Sequence, residues 1–322
     1  MVIVKGDSTV DILVLMARKP VSDFLFDVYL AIFSHYVFPS PSRVLFDPTC
    51  LKVLGSIVSL ACVPTNKRAT MTKSVFITGA AQGIGLATAA YFHRQGWFVG
   101  LYDINEKGLE STHRNLTRSC YGVLDVRDES AVIDAFRDFS LQSGEKVDVV
   151  VNCAGVLSSG YFENIDAAAT DRMIDINVKG LTYVARHALP LLKQTPNSVL
   201  VNICSASSIY GIPLLGVYGA TKHYVNGLTQ ALSIEWQQFG IRVKAIKPPI
   251  VKTAMGMSLP ASFDKHMAAN MDAEYVAESI WNSVSGSRVS YILGLKTQCL
   301  GLLCRWLPDS LARGLMKRAC GL

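Results

Sequence analysis

The sequence predicts an α/β fold, a doubly wound parallel sheet with helices on both faces. Two observations support this prediction. From Met71 onward, short apolar runs alternate with segments whose apolar residues recur every three to four positions, the spacing of an amphipathic helix. Each intervening segment is also long enough to carry a helix across the sheet, which favours parallel pairing. Right-handed crossovers then place helices on both faces and ligands at the carboxyl edge of the strands.

The alternation predicts seven strands and five helices. The strands are Ser74–Thr78, Trp97–Tyr102, Tyr121–Leu124, Val147–Val151, Ser198–Ile203, Ile241–Ile246 and a last one near Val289–Leu293. The helices run from the glycines after the first strand to Gln95 and over Glu106–Asn115, Asp128–Leu141, Ala167–Leu192 and Tyr218–Phe239.

Composition excludes several classes of protein. Half of the 322 residues are apolar and 17% are charged, whereas a disordered chain needs low hydrophobicity and high charge. The net charge of +6 is spread without a run of Lys or Arg, so no nucleic-acid partner is expected. The eight cysteines and six histidines show no zinc-ligand spacing, and no metal site is predicted. We expect reduced thiols and a cytoplasmic location.

A glycine-rich turn, Gly79–Gly85, follows the first predicted strand and precedes the first helix. Glycines there bring backbone amides close to a pyrophosphate, and the helix N-terminus adds partial positive charge. Asp103 ends the second strand 18 residues beyond Gly85, where a carboxylate accepts ribose hydroxyls and repels a 2′-phosphate. Gln82 is neutral where a cation could meet that phosphate. The pattern predicts a dinucleotide, NAD in preference to NADP; the alternative is a plain turn and a solvated strand end.

Tyr218 and Lys222 lie four residues apart, on one face of a predicted helix. A free tyrosine has a pKa near 10, and a neighbouring ammonium favours the phenolate, which suits acid–base catalysis. Ser205 lies thirteen residues before Tyr218, directly after an apolar strand, so its hydroxyl is expected at the ligand-binding edge. The alternative for the Tyr/Lys pair alone is an ordinary helix surface.

Together these motifs resemble the short-chain dehydrogenase/reductase family in its single-domain branch. The resemblance extends from Met71 to about Ile292 and implies a Rossmann-type sheet and a nicotinamide cofactor. Its motifs, in family order, are Thr78–Gly85, Asn152–Gly155, Asn177, Ser205 and Tyr218-x-x-x-Lys222.

The resemblance also implies residue roles. Tyr218 would exchange the hydroxyl proton while nicotinamide exchanges the hydride, and Lys222 would bind the nicotinamide ribose. Ser205 would orient the substrate oxygen, and Asn177 would hold a proton-relay water. The residues expected to bind the cofactor, or to brace the sheet beside it, are Gly79, Gln82, Gly83, Ile84, Gly85, Asp103, Asp125, Val126, Asn152, Ala154, Gly155, Tyr218, Lys222, Pro248, Val251 and Thr253.

Three positions depart from the family pattern. Cys153 replaces an Asn in a predicted buried strand, a change expected to leave cofactor binding intact. Cys204 replaces a Ser before the catalytic one, so that Ser205 is the candidate and Ser207 the fallback. Pro248-Pro249 replaces Pro-Gly and restricts the backbone on the nicotinamide side, although Thr253 remains to meet the carboxamide.

The segments expected to enclose the substrate are Ile209–Leu215 and a lid, Ala254–Met271. Both are rich in apolar residues and contain no Arg, although Lys265 and His266 are available in the second of them. We therefore expect a secondary alcohol or ketone of apolar character, although the same residues could simply pack the lid. The alternatives in function are an NAD-binding redox sensor or scaffold without turnover, and a nucleotide-sugar epimerase or dehydratase. The 75 residues after Lys247 leave the latter little room for its substrate domain.

We expect three regions. Residues 1–70 lack a regular rhythm and form a poorly defined extension, an appendage or not part of the native protein; residues 71–298 form the dinucleotide-binding catalytic domain. Residues 299–322 form a basic amphipathic tail, which could contact a membrane surface or pack on its own domain or a partner subunit. The resemblance implies a homodimer or homotetramer.

Overall fold

Seven parallel strands form one sheet in the computed structural model, which describes residues 72–259 and 271–320. The spatial order is β3-β2-β1-β4-β5-β6-β7, so the doubly wound, Rossmann-type prediction is confirmed. The strands are β1 Ser74–Thr78, β2 Phe98–Asp103, β3 Ser119–Val123, β4 Val149–Asn152, β5 Val199–Ile203, β6 Arg242–Lys247 and β7 Ser290–Ile292. The predictions for residues 1–70, and for the middle of the lid, lie outside the described residues.

Helices cover both faces of this sheet. They are α1 Gly83–Arg94, α2 Glu106–Asn115, α3 Glu129–Ser143, α4 Ala167–Ile174, α5 Leu181–Gln194, α6 Gly216–Glu235, α7 Ala254–Met257, α8 Ala273–Ser285, α9 Leu295–Trp306 and α10 Asp309–Ala319. A π-helical turn, Asp175–Gly180, joins α4 to α5, where the sequence predicted one continuous helix. The described helices include none long and apolar enough to cross a bilayer.

Local sequence signals explain several of these boundaries. The Asp128 carboxylate accepts hydrogen bonds from the Ser130 and Ala131 amides and so caps the start of α3. That helix ends at Gly144, which adopts the left-handed conformation common after helix C-termini. The Asn105 side chain accepts a hydrogen bond from the Gly108 amide and caps α2.

The core consists of two apolar layers, one on each side of the sheet. Successive residues of β1 point to opposite faces: Ile77 packs in the cluster that contains Phe92 of α1, whereas Phe76 packs against Phe136 of α3. All residues of β1, β4 and β5 are buried because helices cover both sides. The strand order reverses between β1 and β4, which places a crevice at their carboxyl ends.

Candidate active site

The glycine turn between β1 and α1 borders a large cavity of about 1570 Å³ at the carboxyl edge of the sheet. Gly83 has φ of +54°, in the left-handed region that favours glycine. A Cβ on Gly85 would collide with the carbonyl oxygen of Gly79, so the start of α1 packs directly on the turn. No side chain therefore covers the backbone amides at Gly83 and Gly85, and a pyrophosphate could approach them closely.

The glycine turn is tied to the neighbouring strand by one hydroxyl. Thr78 Oγ1 accepts hydrogen bonds from the amides of Cys153 and Ala154, at 3.0 and 3.1 Å. Because position 153 contributes its amide to this tie, the Cys that replaces the family's Asn leaves the tie intact. Burial raises the pKa of the Cys153 thiol to about 12, so it stays protonated at neutral pH.

Asp103 at the end of β2 is held facing the glycine turn. Its Oδ2 accepts the Ala81 amide and its Oδ1 accepts the Asn105 amide, both at 3.0 Å. Asp125 also lines the cavity, and its carboxylate is paired with the Arg127 guanidinium, which holds the pKa of Asp125 below its usual value. The guanidinium of Arg127 is thus already neutralised by a carboxylate.

Tyr218 and Lys222 lie on the buried face of α6, and Lys222 contacts the end of β5, two residues before Ser205. The Lys222 side chain is 5% exposed, and its Nζ lies 5.7 Å from the centre of the Tyr218 ring. The same Nζ donates a 2.9 Å hydrogen bond to the Ile203 carbonyl oxygen, which fixes the ammonium. Ser205 Oγ accepts the Ser207 amide at 3.2 Å, and both serines line the cavity with the Tyr/Lys pair.

Asn177 lies on the π-helical turn, in which the Leu181 amide donates to the Ile176 carbonyl, five residues back. Its fully buried side chain joins three elements. Its Oδ1 accepts the Val156 amide at 2.9 Å, and its Nδ2 donates to the Val156 carbonyl and to Thr221 Oγ1, at 2.9 and 3.1 Å. Asn177 therefore joins the segment after β4 to α6 with its Nδ2 donating two hydrogen bonds, and it is not among the residues that line the cavity.

The other predicted positions fall into two groups. One group lines the cavity together with Gly79, Gly83, Gly85, Asp103, Asp125, Ser205, Tyr218 and Lys222. This group is Gln82, Ile84, Val126, Ala154, Gly155, Pro248, Val251 and Thr253. Asn152 lies deeper in β4, where its Nδ2 donates to the Leu181 carbonyl at 2.9 Å and braces the sheet against α5. Thr253 Oγ1 accepts the Gly256 amide and caps α7, while its methyl group lies beside Gly83, 3.2 Å from where a Cβ on that glycine would stand.

Residues near the C-terminus complete the cavity, and the sequence interpretation did not include them in the site. Met316 of α10 is 2% exposed and packs in the apolar cluster that contains Tyr218 and Met173. Leu300 of α9 packs against that cluster, and both residues line the cavity. Tyr210 donates a 2.9 Å hydrogen bond to the Asp309 carboxylate at the start of α10. The amphipathic spacing of this segment was the available signal.

Fold and site together define a dinucleotide-binding oxidoreductase of the α/β class. Residues 73–263 match the sequence profile of a protein family described as "short chain dehydrogenase". An uncharacterised oxidoreductase of Staphylococcus aureus strain N315 is 31% identical over 210 residues, which cover 65% of this chain and 89% of that protein. The chain belongs to the short-chain dehydrogenase family, as its motifs predicted.

Two solved structures illustrate the similarity. A 3-ketoacyl-(acyl-carrier-protein) reductase from Brucella melitensis, complexed with NADH, matches with a TM-score of 0.64 and 26% identity, over 69% of this chain and 96% of that one. An alcohol dehydrogenase from the archaeon Thermococcus sibiricus, complexed with 5-hydroxy-NADP, matches with a TM-score of 0.62 and 26% identity, over 69% and 96% of the two chains.

Proposed function

We propose that this protein interconverts a secondary alcohol and a ketone, with NAD as cofactor and an apolar compound as substrate. The observation that carries the proposal is the buried Lys222 ammonium beside the Tyr218 phenol, at the wall of the cavity that the glycine turn borders. A protein that only bound the nucleotide would not need an acid–base group there.

In this proposal the chain binds the cofactor mainly through backbone and acts on the substrate through side chains. The amides of the glycine turn and the N-terminus of α1 bind the pyrophosphate, and Asp103 binds the adenosine ribose. Nicotinamide, when bound, supplies the hydride acceptor or donor. The Tyr218 hydroxyl gives its proton to a ketone oxygen, or accepts one from an alcohol, while Lys222 stabilises the phenolate charge. Ser205 Oγ hydrogen-bonds the same substrate oxygen.

The preference for NAD is supported by the fixed carboxylate of Asp103. One similar structure is a complex with NADH and the other with 5-hydroxy-NADP, so the similarity leaves the choice open. Because Asp103 faces the glycine turn through the Ala81 amide, its charge lies where a 2′-phosphate would be repelled.

Removing that charge tests the preference. The Asp103→Asn variant keeps one side-chain oxygen that can accept a hydrogen bond from a backbone amide, but it loses the negative charge that would repel a 2′-phosphate. We therefore expect the ratio of kcat/KM for NAD to kcat/KM for NADP to fall roughly tenfold. Glu106→Gln, an exposed carboxylate three residues further on, is the control and should leave the ratio unchanged. A wild-type protein that prefers NADP would contradict the assignment.

The apolar character of the substrate is supported by the walls near Tyr218. Ile212, Leu259, Leu300 and Met316 line this part of the cavity, and all belong to one apolar cluster with Tyr218. Apart from the buried Lys222, the cations that line the cavity are exposed; they are Arg127, Arg172, Lys252 and Lys296. The hydroxyls available to orient a substrate beside Tyr218 are those of Tyr218, Ser205 and Ser207, which suit a substrate with a single oxygen at the reacting carbon.

A screen of secondary alcohols and ketones, with NAD and NADP in parallel, tests the reaction through the absorbance of reduced nicotinamide. Tyr218→Phe should lower kcat by roughly 10²–10⁴-fold, because it removes the proton donor, while cofactor affinity stays unchanged. Tyr224→Phe, on the exposed side of the same helix, is the control. Cofactor binding without turnover of any compound would favour the alternative of a non-catalytic NAD-binding protein.

We further propose a homodimer or homotetramer in the cytoplasm. The exposed side of α6 carries apolar side chains, with Ile234 exposed to 74% and Tyr224 to 40%, and such a face suits contact with another subunit. Light scattering of the full chain measures the mass of the assembly.

A further inference from the structure

The α9 helix carries an apolar stripe on its exposed side. Leu295, Cys299, Leu302 and Trp306 follow one another at intervals of four, three and four residues, which places them on one helix face. All four are exposed, Trp306 to 77%. The opposite side of α9 packs inward through Thr297 and Leu300, so the stripe is not a misassigned core face.

The two C-terminal helices are also rich in exposed cations. Residues 295–319 contain five cationic side chains and one carboxylate, Asp309, so the segment carries a net charge of +4. The cations are Lys296, Arg305, Arg313, Lys317 and Arg318, and all are exposed. Exposed Leu and Trp side chains beside clustered Lys and Arg are the pattern of helices that lie on anionic lipid surfaces.

We propose that α9 docks on the surface of a bilayer that contains anionic phospholipid, with the apolar stripe inserted and the flanking cations at the headgroups. A second copy of the chain is the other partner to consider, but a symmetric contact through this face would bring two segments, each of net charge +4, close together. Anionic lipid, in contrast, is attracted to each of these cations.

The docking face adjoins the cavity. Leu295 belongs both to the apolar stripe and to the cavity lining, and its neighbours Lys296 and Leu300 also line the cavity. Docking would thus hold the rim of the cavity against the lipid, from which an apolar alcohol or ketone could enter directly. This last step rests on the proposed function, whereas docking itself does not.

The full chain is tested with vesicles of phosphatidylcholine alone and of phosphatidylcholine with phosphatidylserine, without cofactor or substrate. Co-sedimentation should show binding to the anionic vesicles that weakens as salt is raised. Of the four tryptophans, Trp97 and Trp236 are buried and Trp281 is half-buried, so Trp306 should dominate a blue shift of emission on docking. Trp306→Phe should keep the binding and lose most of this shift.

Two variants with matched controls locate the docking face. Leu302→Glu should reduce the partition coefficient roughly tenfold or more, whereas Leu141→Glu, at a side chain exposed to 75% on α3, should leave it unchanged. Arg313→Gln with Lys317→Gln should reduce binding to anionic vesicles by about tenfold or more, while Arg114→Gln with Arg137→Gln, exposed on α2 and α3, should change it little.

Three results would overturn the docking proposal. They are no binding to anionic vesicles at low salt, binding that Leu302→Glu does not reduce, and a change of oligomeric state in Leu302→Glu without vesicle binding, which would assign the face to a second copy. Because partition is measured without turnover, a protein that docks but catalyses nothing fails the proposed reaction alone. A protein that turns over a ketone but does not dock fails this proposal alone.

Discussion

The two ends of the cavity are built in different ways. At the cofactor end, the glycine turn and the ends of β1, β2 and β4 are joined by hydrogen bonds to backbone amides, such as those from Ala81 to Asp103 and from Ala154 to Thr78. At the substrate end, Met316 and Leu300 contribute apolar packing, and one exposed hydrogen bond, from Tyr210 to Asp309, ties α10 to the loop after Ser205.

This difference has a physical consequence for substitution. A backbone that contacts backbone at van der Waals distance cannot accommodate even one methyl group, because neither side has a rotamer to change. Apolar side chains that face a cavity can be exchanged for others of different size at moderate cost. One family can therefore keep a fixed cofactor turn while the substrate wall varies.

Gly85→Ala is expected to have the largest effect on this comparison. The new Cβ would collide with the Gly79 carbonyl oxygen, and the turn would have to shift away from the start of α1. We expect a loss of cofactor binding and a fall of about 3 kcal/mol in the free energy of unfolding, measured by chemical denaturation.

Gly227→Ala in α6 is the matched control for this substitution. A Cβ at Gly227 meets nothing within 4 Å, and alanine favours a helix over glycine by about 0.5–1 kcal/mol. The control should thus be neutral or stabilising. If both variants bound cofactor like the wild type, the glycine turn would not be the cofactor-binding element.

Met316→Ala tests the substrate end and should have an intermediate effect. Met316 is 2% exposed, and its removal leaves space beside Tyr218. We expect about 2 kcal/mol of destabilisation, because the site adjoins a cavity that can relax, together with a changed KM among ketones of different size and an unchanged cofactor affinity. Leu311→Ala on the same helix, where the side chain is 58% exposed, should lower the free energy of unfolding by less than about 0.5 kcal/mol. It should change neither the KM for ketones nor the affinity for the cofactor.

Local sequence was sufficient for the sheet and the cofactor turn, because Val-rich runs, glycines and strand-end polar residues report their own surroundings. It was not sufficient for the helix predicted over 167–192. The π-helical turn at Asn177 accompanies side-chain bonds to Val156 and Thr221, which lie 21 and 44 residues away in the sequence. Local periodicity cannot contain that information.

The C-terminal tail shows a second limit. Met316 and Trp306 are both large apolar residues of an amphipathic segment, yet one is buried and the other is 77% exposed. The spacing of apolar residues predicts which side of a helix is apolar, but not which surface covers it. The packing of α10 on Tyr218 and Met173 assigns one side of the tail to its own domain, whereas the apolar stripe of α9 stays exposed among the described residues.

Tyr210→Phe should have the smallest effect on stability, and it tests most directly whether the two ends of the cavity are held in place independently. The variant removes the hydrogen bond to Asp309 without removing the ring, so α10 should open more often while the cofactor end is unchanged. Hydrogen exchange of the α10 amides should accelerate, and exchange in α1 should not. Tyr161→Phe, an exposed tyrosine elsewhere, should alter neither.

The same hydrogen bond gives a pH dependence with a defined sign. The bond to the Asp309 carboxylate raises the pKa of Tyr210 above the ordinary value near 10. A raised pKa means that the stabilisation of α10 is fully present below the unfolded value and is lost as the pH rises through the folded value. The protection of the α10 amides, measured relative to their base-catalysed intrinsic exchange rate, should therefore fall at alkaline pH in the wild type and already be low, with less pH dependence, in Tyr210→Phe. Equal α10 protection in both proteins would mean that the apolar contacts of Met316 alone hold the helix in place.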